Sequence, residues 1–262
     1  MSINLCFMSP IKYLSKYTEL GDMLFALPHI IDESNEYTDY FYKNPKYKIL
    51  DSGVIELGKP YAAEELFRVA KSIDANEVAL PDYLFDAEQT IQCATSFGKE
   101  IDNLQDLEFN LMGIVQGDSV DNWLRCFEVL SNLSYVNVLG ISIYSSNVFK
   151  SYTNRDDCLH NRIKCVEVLL SKNMIPKKKS IHLLGMEDPA ELRYQKEHEF
   201  IRSCDTTRPI IYGVNKVVYT SDGYIPTDYY KGPKMDYYTT IDSECHAFIL
   251  ENINIVKECA SK

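Results

Sequence analysis

The sequence predicts a (β/α)₈ barrel that forms a single domain over residues 1–262. Three observations predict it: short apolar runs recur along the chain, helix-like stretches separate most of them, and polar residues follow their ends. Strands that alternate with helices imply right-handed crossovers and a parallel sheet. An open, doubly wound sheet is the alternative. No G-x-G-x-x-G follows the first run, and the number of runs favours the closed barrel.

The strand candidates are short apolar runs that end in Gly, Pro, Asp or Ser. "INLCFM" (3–8) serves as the first of eight. The other seven are "MLFALP" (23–28), "YKILDSG" (47–53), "EVALPD" (77–82), "LMGIVQG" (111–117), "VNVLGIS" (136–142), "IHLLGM" (181–186) and "FIRSCD" (200–205).

The helix candidates carry apolar residues at three- and four-residue spacing. They are "YAAEELFRVAKSI" (61–73), "DAEQTIQCATSFGKEI" (86–101), "SVDNWLRCFEVLSNL" (119–133), "DCLHNRIKCVEVLLSK" (157–172) and "DPAELRYQKEHE" (188–199). In the last, Asp188 is expected as the N-cap and Pro189 as the first helical residue. "HAFILENINIVKE" (246–258) is predicted to be a closing helix.

Composition limits the classes of function. A net charge of -11 and a pI of about 5 argue against indiscriminate coating of nucleic acid, although a local basic groove stays open. No apolar run approaches the roughly 20 residues of a membrane span, and no signal peptide is evident at the start. None of the eight cysteines forms a C-x-x-C pair. We therefore expect reduced thiols in a cytoplasmic protein, in the host cytoplasm if the chain is viral.

Five polar residues stand at or just past the ends of successive strand candidates. They are Asp51, Asp82, Gln116, Ser142 and Asp205. Each alone is typical of a turn former or a helix cap. The carboxyl ends of barrel strands face the active site, so in a barrel all five would converge on one pocket.

The chemistry of this set suits a reaction at the anomeric carbon of a sugar and recognition of a planar heterocycle. Two carboxylates in different environments can act as nucleophile and general acid/base, and Asp51 with Asp205 could fill that plan at an anomeric carbon. An aspartate accepts from N–H donors and a glutamine amide both donates and accepts, so Asp82 with Gln116 could read a guanine edge. The backbone at Gly140 could approach the ring closely.

Five segments, in the same order over about residues 49–209, resemble the tRNA-guanine transglycosylases. "LDSGVIE" resembles that family's "DSGGFQ", "MGIVQGD" resembles its "GIVQGG", and "VLGISI" resembles its "GGLSVG". "IHLLGMEDPAEL" is similar to "YLMGVGTPEDL", and "SCDTTRP" falls where the family has "DCVLPTR". "GIVQG" with its flanking set is fairly specific, whereas "DSG" alone would mean little.

The resemblance implies a (β/α)₈ barrel that exchanges a guanine in nucleic acid for a 7-deazaguanine. The family's nucleophile falls at Asp205 and its general acid/base at Asp51. Its base-binding positions fall on Ser52, Asp82, Gln116, Gly140, Ile141 and Leu184. Asp86 is the alternative to Asp82, and Leu184 replaces a methionine that stacks on the base.

The departures from the family also carry information. The zinc motif, C-x-C-x-x-C with a later histidine, is missing, and Cys245, His246 and Cys259 lack its spacing. We therefore expect no metal and no other cofactor. The family's "DSGG" is "DSGV" in this chain, and the arginine after the nucleophile, Arg208, is closer to it. The short chain resembles the phage and bacterial relatives that insert a 7-deazaguanine, such as 7-cyano-7-deazaguanine, into DNA and so protect it from nucleases.

The sequence thus favours a DNA-guanine transglycosylase. Its expected partners are DNA with a flipped or single-stranded guanine and a free 7-deazaguanine base. We expect no membrane association. A homodimer stays open, because the tRNA-acting relatives dimerise. Arg208 and Lys231 are expected to bind phosphate, and Tyr83, Phe85 and Tyr144 to stack on a base or pack the loops. The alternatives are a zinc-free tRNA enzyme, a deazapurine or nucleic-acid binding protein without turnover, and an unrelated barrel hydrolase.

Overall fold

Eight parallel strands form one sheet that curls into a nearly closed barrel, which confirms the predicted fold. The computed structural model describes residues 2–100, 107–149, 156–226 and 235–261. The order in the sheet is β1-β8-β7-β6-β5-β4-β3-β2. The strands are β1 Asn4–Phe7, β2 Leu24–Ala26, β3 Lys48–Leu50, β4 Glu77–Ala79, β5 Asn110–Val115, β6 Val136–Ser142, β7 Ser180–Leu184 and β8 Ile201–Thr206.

The seam between β1 and β2 closes without a regular ladder. The backbone N–H groups of Asp22 and Met23 donate to the Leu5 carbonyl at 2.8 and 3.2 Å. The Leu5 N–H donates to the Asp22 carboxylate at 2.9 Å. These bonds satisfy backbone groups that an open sheet edge would leave exposed.

Helices cover the outside of the barrel. They are α1 Pro28–Glu33, α2 Asn35–Lys43, α3 Val54–Leu57, α4 Ala63–Ser72, α5 Ala87–Glu100, α6 Val120–Asn132, α7 Asp156–Ser171, α8 Ala190–Gln195, α9 Arg208–Val214 and α10 Cys245–Ala260. The five predicted amphipathic helices are α4 to α8, and the predicted closing helix is α10. Among the described residues, no helix is both long and apolar enough to cross a bilayer.

The start of α8 differs from the expected cap. The helix begins at Ala190 with Pro189 as N-cap, and no side chain caps it. The Asp188 carboxylate instead accepts a hydrogen bond of 2.7 Å from the backbone of Ile225. The Asp188 side chain, expected to cap α8, therefore contacts the chain that follows β8 instead.

The strands are buried almost throughout, since helices cover one face and opposite strands fill the lumen. Every residue of β2, β3 and β4 is buried. At the amino-terminal end of the barrel, Glu77 of β4 and Arg202 of β8 form an ion pair at 2.7 Å. The carboxyl-terminal end opens into a cavity.

Candidate active site

A cavity of about 190 Å³ opens at the carboxyl-terminal end of the barrel. Of the predicted site residues, Asp51, Leu184, Asp205 and Arg208 line it, together with Ser142. Further lining residues come from the same loops and from the chain after β8: Phe25, Glu56, Tyr144, Gly185, Met186, Glu187, Met235 and Tyr237. Of the five strand-end residues expected to converge on one pocket, Asp51, Ser142 and Asp205 line this cavity, whereas Asp82 and Gln116 do not.

Asp205 lies near the end of β8 and is 4% exposed. Its Oδ1 atom accepts a hydrogen bond of 2.9 Å from the backbone N–H of Gly185. Gly185 has a φ of 70°, a conformation that glycine adopts without steric cost. The same Oδ1 lies 3.1 Å from Nε2 of His182. These two contacts fix the orientation of the carboxylate, as a nucleophile requires.

Asp51 follows β3, and its surroundings differ from those of Asp205 because negative charges lie near it. Its Oδ2 accepts one hydrogen bond, of 3.1 Å, from the backbone of Gly53, whose φ is 81°. Burial, and then the negative charges of Glu56, Asp82 and Asp205, raise the pKa of the Asp51 carboxyl well above its ordinary value. Asp51 is therefore suited to hold a proton and to act as a general acid.

The predicted base-reading residues form a closed network beneath the cavity. The Ser52 hydroxyl donates to one oxygen of Asp82 at 2.7 Å, and the Gln116 amide donates to the other at 2.6 Å. The Gln116 carbonyl oxygen accepts from the backbone N–H of Phe85 at 3.1 Å. Burial raises the pKa of Asp82 to about 6, although both side-chain hydrogen bonds lower it. In the described part of the chain, none of these three polar side chains forms the cavity wall.

Gly140 makes room for a side chain. A Cβ at this position would lie 2.7 Å from Cδ1 of Leu184 and 3.2 Å from Sδ of Met112. Gly140 on β6 thus lets Leu184 on β7 pack across the lumen, and Leu184 in turn forms part of the cavity wall. The neighbouring Ile141 is fully buried and does not reach the wall.

A buried arginine that the sequence analysis missed supports this wall from behind. Arg162 on α7 is 0% exposed and makes two hydrogen bonds of 2.6 Å to the carboxylate of Glu191. Its Nη1 atom also donates to the carbonyls of Ile141 at 3.3 Å and Leu184 at 2.9 Å. The guanidinium therefore ties the carboxyl-terminal ends of β6 and β7 together.

Arg208, expected to bind phosphate, is engaged by a carboxylate. It forms an ion pair with Glu187, and Glu187 also accepts a hydrogen bond of 3.1 Å from the Tyr212 hydroxyl. A phosphate at Arg208 would compete with Glu187. The second expected phosphate ligand, Lys231, lies outside the described residues.

Several large apolar side chains are exposed. Leu57, Phe85, Tyr144 and Tyr238 are 42% to 62% exposed, and Tyr144 also lines the cavity. Phe85 has a φ of 63°, which is strained for a residue with a Cβ. Tyr83 is half-buried and its backbone N–H donates to Thr90, so it belongs to the loop.

The cysteines and histidine considered as metal ligands make other contacts. The Cys245 thiol donates to the carbonyl of Val214 at 3.3 Å, and Nδ1 of His246 contacts the Tyr17 hydroxyl. Within the described ranges, no group of three or more His, Cys, Asp or Glu residues is arranged to hold a metal ion.

Comparison with known proteins identifies the fold alone. No protein-family model and no curated protein matches the chain. Among solved structures, a HpcH/Hpal aldolase/citrate lyase family protein from Burkholderia cenocepacia J2315 has a TM-score of 0.50 at 12% identity, covering 80% of this chain and 89% of that one. The 3-hexulose-6-phosphate synthase from Salmonella typhimurium has a TM-score of 0.50 at 12% identity, covering 98% and 99%. At this identity the likeness extends to the barrel and not to the reaction.

Proposed function

We propose that the chain is a DNA-guanine transglycosylase that exchanges guanine in DNA for a 7-deazaguanine such as 7-cyano-7-deazaguanine. The observation that carries the proposal is the contrast between two carboxylates on one cavity. Asp205 is oriented by contacts with Gly185 and His182, whereas burial and neighbouring charges raise the pKa of Asp51. Covalent base exchange needs one oriented carboxylate that attacks and a second one that supplies a proton to the leaving base.

The two carboxylates would act in two half-reactions. In the first, an oxygen of Asp205 bonds to C1′ while the C1′–N9 bond breaks, and its electron pair leaves with guanine, which takes the proton of Asp51. In the second, ionised Asp51 takes the N9 proton of the incoming 7-deazaguanine. That N9 then bonds to C1′ and displaces Asp205. Protons and electrons balance, and the sugar keeps its original configuration after two inversions.

The walls of the cavity suit a planar base. Phe25, Leu184, Met186 and Tyr237 supply apolar surface around the two carboxylates. A guanine must leave the base stack to reach such a pocket. The exposed Tyr144 side chain, which lines the cavity, would stack on the flipped base or its neighbours.

The choice of DNA rests on the sequence. The tRNA-acting family carries a zinc motif that this sequence does not contain. The cavity itself is acidic, because Asp51, Glu56, Glu187 and Asp205 line it and Arg208 is the cation among its described lining residues. The phosphate backbone would therefore remain at the rim while the base enters.

Exchange of radiolabelled guanine tests the proposal. The wild-type protein and Asp205→Ala are incubated in parallel with DNA and with unmodified tRNA. We expect label in DNA with the wild type and none with the variant. Label in tRNA alone would identify the zinc-free tRNA enzyme instead. Label in neither, with retained binding of a 7-deazaguanine, would identify a binding protein without turnover.

A further inference from the structure

A continuous chain of hydrogen bonds crosses the lumen beneath the cavity and ends on Asp205. Its first links come from β7 and β8, where His182 and Ser203 are register partners. Nε2 of His182 lies 3.1 Å from Oδ1 of Asp205, and Nδ1 lies 2.7 Å from the Ser203 hydroxyl. All three side chains are buried. The ring of Phe25 stacks on the imidazole at 5.6 Å with planes 7° apart, which holds the ring in one orientation.

The far end of the chain is fixed by a partly buried ion pair. Nε of Arg202 donates to the Ser203 hydroxyl oxygen at 3.1 Å. The same guanidinium makes two hydrogen bonds, of 2.7 and 2.9 Å, to Glu77 on β4, four strands away around the barrel. The Tyr47 hydroxyl donates to that carboxylate at 2.9 Å. These bonds to Glu77 fix the orientation of the Arg202 guanidinium.

The donors and acceptors favour one arrangement of protons. Arginine only donates, so Ser203 accepts from Arg202 and its own hydrogen is available for Nδ1 of His182. In that arrangement Nδ1 accepts, and the remaining ring hydrogen lies on Nε2, directed at Asp205. This neutral tautomer gives each of these atoms a partner. An imidazolium would donate to Ser203 through Nδ1, take away the acceptor of the Ser203 hydrogen and place another positive charge near Arg202.

We propose that His182 is a positioning residue whose Nε2–H, set by Ser203 and Arg202, holds the Asp205 carboxylate in one orientation, aimed into the cavity. The step it serves, attack on C1′, rests on the proposed function. The placement of the ring proton does not rest on it. Neither Ser203 nor Arg202 touches the cavity in the described structure, so both act through His182.

Two amide variants separate positioning from packing. In His182→Gln the amide nitrogen takes the place of Nε2 and can still donate to Asp205. In His182→Asn the amide takes the place of Nδ1, so it contacts Ser203 and cannot reach Asp205. Both put a neutral amide in the same buried site, and we expect similar thermal unfolding temperatures.

The activity arm measures base exchange at varied DNA concentration and, without incoming base, formation of the covalent DNA adduct. His182→Asn should lower kcat about 10- to 100-fold with KM for DNA unchanged, since a hydrogen bond to a carboxylate is lost. His182→Gln should remain within about threefold of wild type. Equal activity of His182→Asn and wild type, or equal loss in both variants, would overturn the proposal.

The second arm does not depend on turnover. Proton-detected ¹⁵N spectra of the protein labelled at its five histidines assign His182 by the signals missing from His182→Gln. We expect a protonated Nε2 and a bare Nδ1 at neutral pH. An Nδ1–H tautomer or an imidazolium would overturn the proposal even if exchange is observed. The expected tautomer with no adduct on DNA or tRNA would refute the proposed function and leave the positioning of Asp205 standing.

Discussion

Replacing Asp82 with asparagine should change how the stability of the protein depends on pH. Burial raises the pKa of Asp82 from an ordinary 3.8 to about 6, although Ser52 and Gln116 both donate to it. Between these two values the folded state keeps a proton that the unfolded state has released. Stability is therefore lost as pH rises through this window.

The magnitude follows from the size of the shift. About two pKa units at about 1.4 kcal/mol each give a cost of about 3 kcal/mol at neutral pH, for a side chain that is 1% exposed. About 2 kcal/mol of this appears between pH 4.5 and 7.5. Asp82→Asn removes the titration. It also places an NH₂ group against Gln116, a penalty that is the same at every pH. The change in the free energy of unfolding between pH 4.5 and 7.5 therefore reports the ionisation of Asp82.

Urea denaturation measures the effect, with the fluorescence of the single tryptophan, the buried Trp123, as the probe. Relative to wild type, Asp82→Asn should gain about 2 kcal/mol between pH 4.5 and 7.5. Relief of Asp51, whose pKa the Asp82 charge raises, adds in the same direction. Asp118→Asn is the control, because that exposed carboxyl has a lowered pKa and should give no such gain. A stability difference that is equal at both pH values would refute the reasoning.

Three further substitutions test the walls of the site. Gly140→Ala should lower the free energy of unfolding in urea by about 1–3 kcal/mol, because its methyl group drives Leu184 into the cavity. The same displacement should raise KM for the free base, and an unchanged KM would contradict this. Glu187→Gln should free Arg208, tighten binding of a single-stranded oligodeoxynucleotide and steepen its salt dependence by about one charge, as read by fluorescence anisotropy. Equal salt slopes in Glu187→Gln and wild type would show that Arg208 meets no phosphate. Arg162→Met leaves Glu191 buried without its arginine partner, so it should lower the free energy of unfolding by about 3–5 kcal/mol. A loss below about 1 kcal/mol would mean that the Arg162–Glu191 ion pair contributes little to stability.

The sequence predicted the barrel because its signals are local. Each strand run is short, apolar and bounded by a turn former, and each helix repeats its apolar residues on one face. The short helices α1 and α2, between β2 and β3, were not predicted. Their segment, "PHIIDESNEYTDYFYK", mixes polar and aromatic residues, and its burial depends on contacts that only the closed barrel provides.

The cavity was predicted in part. Asp51 and Asp205 were found from their place after strand ends, which the backbone direction of a barrel fixes. His182 and Ser203 also had a signal, because side chains alternate along a strand. His182 stands two residues before Leu184, and Ser203 two before Asp205, so each shares a face with a predicted site residue.

Other features required the tertiary structure. Glu77 meets Arg202 only because β4 and β8 face each other across the closed lumen. Arg162 lies on a helix whose sequence indicates only an amphipathic surface, and its target is the pair of carbonyls at two strand ends. The network of Ser52, Asp82 and Gln116 likewise joins residues that follow three different strands, so their contacts could not be read from any one segment.

The nucleophilic role of Asp205 is tested most directly by trapping the covalent intermediate. The protein is mixed with a guanine-containing single-stranded oligodeoxynucleotide without incoming base, denatured, digested and analysed by mass spectrometry. We expect an abasic DNA strand attached to the peptide that contains Asp205, with none formed by Asp205→Asn and slower formation by Asp51→Asn. An adduct on another residue, or base exchange that Asp205→Asn supports at the wild-type rate, would contradict this account of the site.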